Sequence, residues 1–117
     1  MSPLARVLVV DDDESLRLLA RVNLELEGFE VGEAGTVAEA EEALRDPPDV
    51  VLLDVHLGGG DSTALLDRIH AAGIPVAVVT GSVDVSELRA RADAVLTKPY
   101  PPSALVELTR RLARVDA

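Results

Sequence analysis

Short aliphatic runs recur along the chain with helix-length segments between them: Arg6–Val10, Glu30–Val31, Val50–Leu53, Val76–Val79 and Val95–Thr97. Three of them, VLVV, VVLL and VAVV, are apolar at every position. Such a run suits a strand covered on both faces, which is the situation in a parallel sheet whose crossover helices pack on either side. Glu30–Glu33 alternates with polar residues instead and is the candidate edge strand. The connecting segments carry helix punctuation. Asp13 is placed to cap a first helix that runs to about Glu27 and stops at Gly28, and Thr36 to cap a second that "DPP" at 46–48 ends. Asp61, Ser62 or Thr63 opens a third, closed near Gly73; Ser82 or Asp84 opens a short fourth, and "PPS" at 101–103 a fifth. Five strands and five helices in strict alternation predict a doubly wound α/β domain, and 117 residues suffice for one such domain spanning 1–117.

One Phe, one Tyr and no Trp mean that this core must be built from Val, Leu and Ala. The net charge of −10 argues against direct nucleic-acid contact, which draws its affinity from Lys and Arg. Without cysteine there is no disulfide, thiol nucleophile or thiolate metal site, as suits a reducing cytoplasm. No apolar run approaches the roughly 20 residues that span a bilayer. A soluble, cytoplasmic protein without membrane insertion is expected.

The parallel sheet predicts which residues meet. Ligands of open α/β sheets sit at the carboxyl ends of the strands, where the winding reverses. Asp11 and Asp12 follow the first strand, Asp54 ends the third, Thr80 the fourth and Lys98 the fifth, all on one rim. Acids gathered there repel one another unless a cation neutralises them, and hard oxygen donors favour Mg²⁺, with Mn²⁺ as substitute. A metal, an ammonium and a hydroxyl around one carboxylate suit phosphoryl transfer with Asp54 as nucleophile. Each residue also has a plain structural reading. Asp11–Glu14 suit a helix N-terminus, Asp54 a turn, Thr80 a cap and Lys98 a solvated surface. Their joint placement on one rim is what those readings leave unexplained. Gly58–Gly60 lack the Gly-Lys-Ser/Thr ending of a phosphate loop and the G-x-G-x-x-G spacing, and His56 and His70 sit in no ligand-spaced cluster.

With those positions in place, "VLVVDDDESLR", "DVVLLDVHL", "VAVVTGS" and "LTKPY" resemble the receiver domain of two-component response regulators, from about Leu4 to Val115. The resemblance implies a flavodoxin-like sheet with strand order 2-1-3-4-5. It implies Asp54 as phosphoacceptor, Asp12 as direct Mg²⁺ ligand, Asp11 acting through a water, and His56 supplying its backbone carbonyl to the metal. It implies Thr80 and Lys98 as the groups that contact the phosphoryl oxygens, Gly81 as the small residue beside Thr80, and a cis bond from Lys98 to Pro99. The implied partners are a histidine kinase or histidine phosphotransfer protein as donor, and a downstream protein or fused domain as reader.

Several positions depart from the family pattern. Val95 stands where receivers usually carry an aromatic switch residue. "LGGGDS" replaces the usual loop after the phosphoacceptor, and Thr80 to Lys98 is short by about one helical turn of 3.6 residues, a deficit expected in the fourth helix. With no output domain after Ala117, the output is expected in trans, or the chain is a piece of a larger protein such as a hybrid kinase. Two other functions compete. A phosphorylation-independent binding module on a receiver-like fold is favoured by Val95 and the short fourth helix. A small-molecule phosphatase would ordinarily carry a second aspartate where His56 stands. On the first helix, Leu16, Leu19, Ala20 and Leu24 form a core stripe and Leu18, Val22 and Leu26 a second apolar row. A wide buried face is the expectation; the alternative is a docking patch, since the family's first helix commonly receives the histidine-bearing helix of its partner.

Overall fold

In a computed structural model, which describes residues 5–55, 62–81 and 92–113, the aliphatic runs all become parallel strands. They are β1 (Arg6–Val10), β2 (Glu30–Ala34), β3 (Val50–Asp54), β4 (Val76–Thr80) and β5 (Ala94–Thr97), ordered β2-β1-β3-β4-β5. The helices among the described residues are α1 (Glu14–Leu26), α2 (Val37–Ala43), α3 (Ser62–Ala71) and α4 (Pro102–Leu112). The expected helix between β4 and β5, opened by Ser82 or Asp84, lies outside the described residues. So do His56, Gly58–Gly60 and Asp61.

Period-two geometry splits each strand between two cores. Leu8, Val10, Val51, Leu53, Val76 and Val78 face α2 and α3, where Ala40, Leu65, Leu66 and Ile69 cover them. Val7, Val9, Val50, Leu52 and Ala77 face the other way, toward Ala20 and Leu24 of α1 and Leu105 and Val106 of α4. β3 and β4 are buried at every residue, which is why they carry no polar alternation. β2 is an edge strand, and its alternation survives as an exposed, half-buried, exposed pattern.

Local signals fix the helix ends. The Asp13 carboxylate accepts from the N–H groups of Ser15 and Leu16, and the Thr36 hydroxyl accepts from Glu39 N–H. Gly28 and Gly73 end α1 and α3 at φ 95° and 75°, a region that disfavours any Cβ. α2 stops at Ala43, before the prolines, and α4 starts at Pro102 with Pro101 as its cap.

The wide buried face expected of α1 is not what the structure shows. Only Ala20 and Leu24 are buried, while Leu18, Leu19, Val22 and Leu26 are 45–78% exposed and Leu16 37%. The sheet and α4 cover one flank of the helix, so the apolar rows beyond that flank face solvent.

Candidate functional site

The three consecutive aspartates after β1 have three different fates. Asp11 is buried at 8% exposure, because its N–H still belongs to the sheet and donates to Ala34 O at 3.0 Å. Asp12 is exposed. Asp13 is the N-cap of α1, where the unpaired amides of the first turn offset its charge. The like charge in this run is therefore divided among a buried carboxylate, an exposed one and a helix cap.

β3 brings Asp54 to the same rim at 5% exposure, and one ligand oxygen from each of Asp11, Asp12 and Asp54 falls within 4.8 Å of the others. Lys98 follows β5 and donates from Nζ to Asp54 Oδ2 at 3.3 Å, with Asp11 Oδ2 at 3.8 Å. Its backbone N–H donates to Thr80 O at 2.8 Å, which ties the lysine to the end of β4, and its bond to Pro99 is cis as expected. Thr80 is wholly buried. Gly81 is exposed, and a Cβ added there would meet nothing within 4 Å. Val95 is half-buried in β5 opposite Val78. Ser62 begins α3 and donates its hydroxyl to Val55 O, tying the start of α3 to the residue after Asp54.

The charges perturb one another. Burial pushes the Asp11 carboxyl above its ordinary range; the Asp13 N–H at 2.9 Å pulls it back, and the Asp54 charge adds to the rise. Burial alone would lower the Lys98 ammonium, but Asp54 and Asp11 outweigh it and hold the lysine above its usual value. The fit to a divalent cation is good. Three hard carboxylates converge, burial makes the ionised form of one of them costly, and a single ammonium does not balance their charge.

The match to known proteins decides the family: residues 7–110 match the family described as response regulator receiver domain. The chain belongs to the receiver domain family. It is 35% identical to the C4-dicarboxylate transport transcriptional regulatory protein DctD of Pseudomonas aeruginosa, over 98% of this chain and 28% of that protein. It is 36% identical to the DNA-binding response regulator MtrA of Mycobacterium tuberculosis, over 95% of this chain and 52% of that protein. The receiver thus spans between about a quarter and about half the length of these curated relatives. In structure it resembles the receiver domain of NtrX from Brucella abortus, with TM-score 0.84 and 32% identity over 94% of this chain and 99% of that one. A CheY-like receiver domain protein from Methanospirillum hungatei gives TM-score 0.81 at 32% identity, over 93% of each chain.

Asp11, Asp12, Asp54 and Lys98 lie together at the carboxyl rim, and Thr80 ends β4 with its carbonyl accepting from Lys98 N–H; His56 lies outside the described residues. Two residues near the site had escaped the sequence reading. Tyr100 packs beside Asp11 and Asp54 on the α1/α4 side and continues into a groove of about 390 Å³ between α1 and α4. Burial raises its phenol above the ordinary range. Arg17 donates from Nη1 to the Asp11 carbonyl at 2.7 Å. A bond to a main-chain oxygen has no signature in the sequence, although the "KPY" tripeptide did place an aromatic two residues after the lysine.

Proposed function

We propose that this receiver accepts a phosphoryl group on Asp54 from the phosphohistidine of a histidine kinase or histidine phosphotransfer protein. The observation that carries the reading is the convergence of Asp11, Asp12 and Asp54 on one point with Lys98 against two of them. Asp54 attacks phosphorus through a carboxylate oxygen; the P–N bond breaks, and its electron pair returns to the donor imidazole. Asp12 and Asp54 would hold Mg²⁺ together with Asp11, and the His56 carbonyl is assigned to the same site by family resemblance. When bound, Mg²⁺ supplies charge neutralisation for the phosphoryl oxygens. Lys98 pairs with those oxygens, and the Thr80 hydroxyl turns to them after transfer, with Gly81 leaving room beside it. Val95 stands where the usual aromatic would follow the change in Thr80, so the common Thr/aromatic switch does not operate in its usual form here.

The exposed leucines of α1 and the groove toward α4 form the surface for the donor's histidine-bearing helix. A protein partner or a fused domain reads the result, nucleic acid is not contacted by this domain, and the cytoplasm is the compartment where such donors work. No helix among the described residues is long and apolar enough to cross a membrane.

Intact-mass spectrometry after incubation with acetyl phosphate and Mg²⁺ tests the reading, with Asp54→Asn and a chelator as controls. One phosphoryl adduct that needs both Mg²⁺ and Asp54 is expected. Absence of an adduct, together with absence of beryllofluoride binding, overturns it in favour of a phosphorylation-independent binding module.

A further inference from the structure

Arg17 sits in the first turn of α1, where the helix dipole opposes a positive charge. Two contacts offset that placement. Its Nη1 donates to the Asp11 carbonyl at 2.7 Å, and its Nε donates to Glu33 Oε1 on β2 at 3.0 Å. The other Glu33 oxygen is taken by Arg21 Nη1 at 2.7 Å, so one carboxylate is held by two guanidinium groups, and its pKa falls below the glutamate range, first through Arg21 and then through Arg17. The space for the fork comes from Gly35: a Cβ there would lie 2.9 Å from Arg17 Nη1.

Asp11 is consequently fixed on every side. Its N–H is in the sheet, its carbonyl is under Arg17, and its carboxylate accepts from Asp13 N–H at 2.9 Å while facing Lys98. Holding the carbonyl restrains the ψ rotation of Asp11, and the backbone dihedrals limit which rotamers its carboxylate can adopt.

We propose that Arg17, braced by Glu33 and given room by Gly35, is a positioning residue for the metal site: it orients Asp11 so that its carboxylate stays within reach of the cation. The inference rests on the metal reading above and concerns how the site is held in shape. Outer partners of metal ligands typically account for about 10–100-fold in metal affinity.

The sign of the effect separates positioning from charge. Removing a cation near a cation site strengthens binding by Coulomb's law, so a loss of Mg²⁺ affinity on removing Arg17 has to come from lost geometry. Magnesium binding to the full chain is measured by isothermal titration calorimetry for wild type, Arg17→Ala, Arg17→Lys, Gly35→Ala and Arg21→Ala, with metal-free thermal melting to establish folding. Arg17→Lys keeps the charge but has no planar fork to span the carbonyl and Glu33 together. Gly35→Ala keeps the arginine and displaces it. The expected result is an affinity loss of about 10-fold or more for the Arg17 variants, a loss in the same direction for Gly35→Ala, and near-wild-type binding for Arg21→Ala. Folded Arg17 variants that bind Mg²⁺ as tightly as wild type, or tighter, overturn the proposal. Should Arg17→Ala not fold, Arg17→Lys and Gly35→Ala decide by the same criterion. A wild-type chain that binds no Mg²⁺ brings down the metal reading itself, a distinguishable outcome that removes this inference with it.

Discussion

Replacing Lys98 with methionine keeps the length and most of the volume of the side chain and removes one charge from between two buried carboxylates. The ammonium lies 3.3 Å from Asp54 Oδ2 and 3.8 Å from Asp11 Oδ2. With an effective dielectric constant of about 20, these separations give gross attractions of about 5 and about 4 kcal/mol. Most of that is offset by desolvation: burial is the largest influence on Lys98 and acts against its charge. The side chain also keeps 28% of its exposure, which screens the pairs further. What remains is the cost of leaving Asp54 and Asp11 facing each other at 5% and 8% exposure, and a net loss of about 2 kcal/mol follows, between the values for surface and fully buried pairs. In chelator, Lys98→Met should therefore melt about 8 °C below wild type. Magnesium changes the comparison. At about 100 times its Kd it should stabilise the wild-type fold by about 2.7 kcal/mol, and the variant more, because its carboxylates no longer share an ammonium. Urea denaturation with chelator and with saturating Mg²⁺ gives the two gaps directly. A gap that is the same in both conditions would refute the reasoning, since it would mean that lysine and metal do not address the same carboxylates.

Other consequences are as direct. Leu24→Ala removes a fully buried side chain from the α1 core and should cost about 3 kcal/mol, whereas Leu19→Ser, on the exposed face, should stay within about 0.5 kcal/mol. The same Leu19→Ser chain should label normally with acetyl phosphate and accept phosphate more slowly from a histidine phosphotransfer donor; equal rates from the protein donor would remove the docking role of that face. Glu33 has its pKa depressed by Arg21 and Arg17, so its contribution is present above the ordinary glutamate range and lost as pH falls through the depressed value. Denaturation of Glu33→Gln beside wild type, in chelator, should show a deficit of about 0.5–1 kcal/mol near neutrality that closes in acid. A deficit that persists in acid would show that the network acts by packing rather than by charge.

Receiver architecture is legible in this chain because burial on both faces leaves a residue-by-residue trace. VVLL and VAVV can tolerate no polar position where helices cover both sides, and EVGEA tolerates several because β2 is at the edge. Rim positions follow from the strands, since a parallel sheet sends every carboxyl end the same way. Helix starts were equally local: Asp13, Thr36 and Pro102 act within a turn of themselves. Asp11 and Asp12, by contrast, are the same residue twice over, and no composition or spacing says which is buried and which meets solvent. The position of Asp11 in the β1 ladder, the start of α1 and the approach of Lys98 from β5 decide that together.

The apolar width of α1 had the same limit. A helix shows in its sequence how much apolar surface it offers, but how much is covered depends on the neighbours that arrive, and here the sheet and α4 cover a single flank. The hold of Arg17 on a main-chain oxygen, and the vacancy at Gly35 that admits it, join residues from α1 and from beyond β2 that only folding makes adjacent. Periodicity and capping act over a few residues, so the sequence by itself determined the strands, the caps and the rim on which the acids lie. Burial, charge compensation and the choice among identical carboxylates depend on distances between segments far apart in the chain, and those the tertiary structure alone decided.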